Sequence, residues 1–90
     1  MALYYTDIRP YDVFVVNGNR FRCKDERAVH QFRNKPASTV KIYLGAPNDP
    51  NICVLWGYCS ITYPVTYAKV KRWLSSQRAA INKSVLVLFS

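Results

Sequence analysis

The chain has 90 residues and a formal net charge of +8, and half of its residues are apolar, with 14% aromatic. This length predicts a single compact domain over residues 1–90, and the apolar content excludes an intrinsically disordered chain. The longest apolar run, Val85–Phe89, is far shorter than the roughly 20 residues of a membrane-spanning helix. The N-terminal residues lack the charged start and apolar stretch of a signal peptide, so we expect a cytoplasmic protein without membrane contact.

Charge is unevenly distributed along the chain. All five acidic residues lie at or before Asp49, together with eight of the thirteen Lys and Arg residues. The rest of the chain has no carboxylate and carries Lys69, Lys71, Arg72, Arg78 and Lys83. A positive field of this kind favours a polyanion or an acidic protein surface as the partner.

The segment Asn17-Gly18-Asn19 between two β-rich runs predicts a hairpin. A two-residue loop pairs Phe14 with Phe21, whereas a three-residue loop pairs Val15 with Phe21. We expect the three-residue loop with a bulge. One face of the hairpin then carries Val13, Val15, Phe21 and Cys23, and the other carries Phe14, Val16, Arg20 and Arg22, with Lys24 at its end.

Alternation and capping residues indicate the remaining elements. Asp25 can cap a helix over residues 25–34 that Pro36 ends. A strand alternates over Thr39–Leu44, and the apolar run Ile52–Ile61 predicts a long central strand, in which Gly57 indicates a bulge or a close backbone approach. The other predicted elements are a strand at Leu3–Thr6, a helix at Val65–Lys83 and a closing strand at Val85–Phe89.

Together these elements predict an α+β fold. The expected order is β(β)β-α-ββ-α-β, with about five strands in an antiparallel-rich sheet and two helices packed on it. The order of the strands within the sheet does not follow from the spacing.

The second predicted helix is the first candidate for ligand binding. It combines an apolar stripe with basic residues that can contact phosphates. The alternative is an ordinary solvated helix face, but surface helices normally mix charges of both signs, and this helix has no acid. The candidate phosphate contacts on it are Lys69, Lys71, Arg72, Arg78 and Lys83.

Aromatic side chains beside basic ones are the second candidate, because rings can stack on bases while cations hold phosphates. On the hairpin, Phe14 would act with Arg20 and Arg22. The alternative, which we favour because the turn register is uncertain, places Phe14 under the first helix and leaves the arginines on the surface. The candidate aromatic contacts are Phe14, Tyr43 and Tyr63, whereas Trp56 and Trp73 are expected in the core.

Residues for catalysis or metal binding are scarce. Cys23, Cys53 and Cys59 lack zinc-site spacing, and His30 is the single histidine. Nucleophilic catalysis needs a base and an orienting carboxylate beside the thiol, and no spacing in the chain supports this. We therefore predict reduced thiols, no metal, no cofactor and no enzymatic activity.

These observations favour a non-catalytic domain that binds RNA or DNA, mainly through contacts independent of sequence. One alternative is a protein-binding accessory or inhibitor protein, of the kind that phages and other mobile elements encode, docking on an acidic or nucleic-acid-handling partner. Another is a small metal-independent ribonuclease that acts with Arg, Lys and Tyr. An exposed final strand could also support dimerisation by edge pairing.

Overall fold

A computed structural model describes residues 12–89 as a four-stranded sheet followed by two helices, which confirms the α+β class. All neighbouring strands are antiparallel and follow chain order across the sheet. The strands are β1 (Asp12–Val16), β2 (Asn19–Phe32), β3 (Lys35–Gly45) and β4 (Cys53–Thr62), and the helices are α1 (Tyr67–Ser76) and α2 (Arg78–Phe89). The strand predicted at Leu3–Thr6 lies outside the described residues.

The first hairpin turns through two residues, so the predicted three-residue loop is wrong. Asn17 and Gly18 have φ angles of 51° and 81°, the positive values that a tight hairpin turn requires at both positions. Phe14 therefore pairs with Phe21, and both side chains are buried. Val15, which the three-residue loop would place on the same face as Phe21, lies on the opposite face and is exposed.

The helix predicted over residues 25–34 is also wrong, because β2 continues through this segment to Phe32. A second tight turn, with Arg33 and Asn34 at φ angles of 53° and 62°, joins β2 to β3. Pairing with β3 supplies the backbone hydrogen bonds that a helix would otherwise make. Asp25 does not cap a helix; it lies at a bulge in β2, where it accepts a hydrogen bond of 2.8 Å from the Arg27 amide.

The helices pack on one face of the sheet. The predicted helix over residues 65–83 is confirmed in most of its length, although a turn at Gln77 divides it into α1 and α2. Thr66 caps α1 by accepting a hydrogen bond from the Lys69 amide at 3.3 Å. The largest buried side chains of this core are Phe14, Phe21, Val40, Ile42 and Leu44 from the sheet, and Val65, Val70 and Leu74 from the helical segment.

The segment Val85–Phe89 belongs to α2, so the predicted closing strand is wrong. Among the strands of residues 12–89, β4 lies at an edge of the sheet rather than in the centre. Its pairing with β3 shifts by one residue beside Gly57, close to the predicted bulge. No helix within residues 12–89 combines the length and apolar character needed to cross a membrane.

Candidate nucleic-acid interface

A groove of about 520 Å³ lies between α1 and the turn that joins β2 to β3. Its volume falls within the range of about 300–1,000 Å³ that is common for small-molecule sites. We call it the basic groove and define it by four cations and two aromatic rings. These residues are Arg33, Lys35, Lys69, Arg72, Phe32 and Trp73.

Two of the cations are positioned by specific contacts. The Lys69 ammonium donates a hydrogen bond of 3.1 Å to the backbone carbonyl of Thr62, so it is held against the end of β4. The Arg33 guanidinium lies 5.0 Å from the centroid of the Phe32 ring. Both groups keep donors for a ligand, because an ammonium has three N–H groups and a guanidinium has five.

Trp73, one of the two aromatic rings of the groove, packs against a second tryptophan outside the groove. The rings of Trp73 and Trp56 meet edge to face, with 6.0 Å between their centroids and 62° between their planes. Trp56 in turn donates a hydrogen bond of 2.8 Å from Nε1 to the Ser84 hydroxyl on α2. Both tryptophans were expected in the core, but they are only half-buried and pack against it, and Trp73 also lines the groove.

Charge in the groove is of one sign. Within residues 12–89, its lining includes no carboxylate, and its other polar groups include the hydroxyls of Ser60, Thr62 and Ser76. Cations without acidic neighbours create a positive potential, and hydroxyls add neutral donors. This combination suits phosphate oxygens, which accept hydrogen bonds and carry negative charge.

The structure separates the five cations predicted to act together on the second helix. Lys69 and Arg72 line the basic groove. Lys71 and Arg78 are exposed on the helices and do not line it, and Lys83 lies beside a different depression next to Leu55. The helices therefore do not form one continuous basic surface.

The two hairpin arginines have different environments. The Arg20 guanidinium donates hydrogen bonds from Nη2 to the backbone carbonyls of Ala46 and Asp49, the latter at 3.3 Å. Arg20 thereby holds the loop between β3 and β4. Arg22 is half-buried on the sheet face opposite the helices, where it pairs across the strands with Tyr43.

Of the three predicted aromatic contacts, Tyr43 lies half-buried on the sheet face opposite the helices. The predicted ligand contact at Phe14 is wrong, because this side chain is fully buried and stacks on Tyr67 with 4.1 Å between ring centroids. Tyr63 is half-buried against the core with its hydroxyl enclosed, so it does not present a free ring face. Tyr43 lies on the sheet, with the Lys41 ammonium 5.5 Å from its ring centroid.

Sequence reasoning missed the groove residues of the second hairpin. The helix predicted over residues 25–34 would place Phe32 and Arg33 in its last turn and Lys35 just after it, with no relation to Lys69 or Arg72. The turn at Arg33 and Asn34 is hard to predict, because its sequence lacks the Asn-Gly pair that marks the first hairpin. Both residues nevertheless adopt the positive φ angles of a tight turn. Lys41 was also not among the predicted site residues, although the alternation of the strand over Thr39–Leu44 places it on the same face as Tyr43.

Cys23 and Cys59 are buried, Cys53 is half-buried, and all three thiols are free. Burial raises the pKa of the Cys23 and Cys59 thiols to about 12, so both remain protonated at neutral pH. His30 Nε2 is hydrogen-bonded to the Ser60 hydroxyl at 3.0 Å. No cluster of three or more metal-binding side chains occurs among the described residues.

Comparison of the chain with protein-family models, with curated proteins and with solved structures finds no match.

Proposed function

We propose that the protein is a non-catalytic nucleic-acid-binding domain that holds a phosphate backbone in the basic groove, mainly without sequence specificity. One observation carries this proposal. Four cations from two separate parts of the chain converge with two aromatic rings in a groove whose described lining contains no carboxylate. Lone surface lysines and arginines are normally mixed with acids and spread over the surface, so such convergence favours a polyanionic ligand.

The aromatic rings favour nucleic acid over an acidic protein as the ligand. An acidic protein surface satisfies the cations and leaves Phe32 and Trp73 without a matching group. A nucleic acid offers phosphates to the cations and flat bases to the rings.

The test compares two variants that carry the same change in net charge. Arg33→Glu/Arg72→Glu reverses two cations of the groove, and Lys71→Glu/Arg78→Glu reverses two exposed cations outside it. Fluorescence anisotropy with labelled DNA and RNA, at a low and a high salt concentration, measures the affinity. We expect the groove variant to bind at least about tenfold more weakly than the matched control.

Equal losses in both variants would contradict the assignment to the groove, since the total charge would then explain the binding. Absence of any salt-sensitive binding by the unmodified protein would reject the proposed function itself. The same RNA is recovered and analysed by gel electrophoresis. Cleavage without added metal would replace the non-catalytic function with that of a ribonuclease.

A second candidate function, protein binding, is favoured by the end of α2. Leu86 and Val87 are 71% and 69% exposed, and the adjoining depression is lined by Leu55 and Lys83. The matching partner is a protein segment with apolar side chains and one carboxylate opposite Lys83. If this surface binds a protein, a purified partner should bind the Leu86→Ser/Val87→Ser variant and the Lys83→Glu variant more weakly than it binds the unmodified protein. Calorimetry measures these affinities. Binding that survives both changes would exclude this surface.

A further inference from the structure

The sheet face opposite the helices carries a second group of aromatic and basic residues. They occupy three adjacent strands, and their side chains alternate with those of the core. We call this group the tyrosine face and define it as Arg22, Lys24, Lys41, Tyr43 and Tyr58. Tyr58 is 55% exposed, so no described element covers its ring.

Strand register arranges the tyrosine face in two rows. In one row Lys24 lies opposite Lys41, which lies opposite Tyr58. In the next row Arg22 lies opposite Tyr43. Cations thus occupy β2 and the middle of β3, and the two rings sit diagonally across β3 and β4.

Lys41 lies between the two tyrosines. Its ammonium is 5.5 Å from the Tyr43 ring centroid. The pKa of Lys41 is raised above its ordinary value, first by a side-chain hydrogen bond with Tyr43 and then by the proximity of Tyr43 and Tyr58, with a small contribution from Glu26. Tyr58 is the cross-strand partner of Lys41 on β4, so the cation lies beside both tyrosines.

The two rings lie in neighbouring rows, and the register of β3 and β4 shifts between these rows, with Trp56 as the extra residue on β4. They therefore present two separate stacking surfaces rather than one continuous stack. Two consecutive bases would have to be drawn apart, so that each could stack on one ring.

We propose that the tyrosine face binds single-stranded nucleic acid, with one base on each of Tyr43 and Tyr58 and the linking phosphate on Lys41. Lys24 and Arg22 hold the flanking phosphates. In a duplex the base faces are already stacked on one another, so the rings cannot reach them. This inference rests on the proposed nucleic-acid binding and specifies its ligand as a single strand, whether RNA or DNA.

The test removes the rings and keeps the cations. Tyr43→Leu/Tyr58→Leu is compared with Tyr43→Phe/Tyr58→Phe, which retains both rings. Fluorescence anisotropy uses a labelled single strand of about 12 nucleotides, as RNA and as DNA, and a duplex of the same length. We expect the Leu variant to bind the single strands at least about tenfold more weakly and the duplex equally well, whereas the Phe variant matches the unmodified protein.

Three outcomes would overturn the inference. Unchanged single-strand affinity in the Leu variant, combined with a loss in Arg33→Glu/Arg72→Glu, overturns the tyrosine face and leaves the basic groove. No binding of any nucleic acid by the unmodified protein overturns both. An equal loss for single strand and duplex also overturns the inference, because stacking would then not be the interaction removed.

Folding is checked in the same samples. Far-ultraviolet circular dichroism and a thermal melt show whether each variant retains its structure. If the double Leu variant unfolds, Tyr58→Leu alone replaces it, since this ring is mostly exposed and its loss leaves the core intact. We expect that single variant to weaken single-strand binding about fivefold or more and to leave duplex binding unchanged.

Discussion

The Ser38 hydroxyl donates a hydrogen bond to Oδ1 of Asp25 across strands β2 and β3, and both residues are buried. The contact lies beside the bulge in β2, where the Arg27 amide donates to the same carboxylate oxygen. The second oxygen of Asp25, Oδ2, is also buried and has no hydrogen-bond partner within residues 12–89. The Ser38 hydroxyl is therefore an important donor to a buried polar group.

Ser38→Ala is expected to destabilise the protein by about 1.5–3 kcal/mol, because it removes a hydrogen bond to a buried carboxyl group. Chemical denaturation measures the free energy of unfolding. Thr39→Ala is the matched control, since Thr39 is the next residue of β3 and lies half-buried on the other face of the sheet. Equal losses in the two variants would show that the hydrogen bond contributes little.

Phe14 and Val15 test the register of the first hairpin. Phe14→Ala is expected to cost about 3–5 kcal/mol of unfolding free energy, because the ring is fully buried and stacks on Tyr67. Val15→Ala should change it by no more than about 0.5 kcal/mol, since Val15 is 56% exposed. A three-residue loop would reverse this ranking, so denaturation of the two variants distinguishes the registers directly.

Elements with a strong local pattern were predictable from the sequence. The α+β class, the strand over Thr39–Leu44 and the amphipathic helix of residues 65–83 each follow from periodicity within a short window. The hairpin at Asn17-Gly18 was also predicted, but its register was not. Moving the turn by one residue sends every following side chain to the other face, so a small local error misplaced Phe14.

The basic groove could not be predicted in the same way, because it depends on long-range pairing. Asp25 and Glu26 resemble the start of a helix, and this local preference concealed the longer strand β2. Only the pairing of β2 with β3 brings Arg33 and Lys35 to the same groove as Lys69. A correct list of basic residues was therefore not enough to identify the site.

The three thiols are expected to differ in reactivity. Burial raises the pKa of Cys23 and Cys59 to about 12, and the thiolate is the reacting form. Cys53 is only half-buried. At about pH 8, a thiol-specific chromogenic reagent should therefore react rapidly with one thiol per chain and with the other two only after denaturation. Cys53→Ser should abolish the rapid phase, and a rapid phase that persists would contradict the described burial.

Salt dependence measures how many phosphates the groove neutralises. For single strands, the logarithm of the binding constant falls with the logarithm of salt concentration by about 0.7 per phosphate contact. Arg33→Gln/Arg72→Gln should therefore reduce this slope by about 1.4, while Lys71→Gln/Arg78→Gln leaves it nearly unchanged. Anisotropy titrations at several salt concentrations give both slopes. An affinity loss without a change in slope would show that these arginines do not contact phosphates.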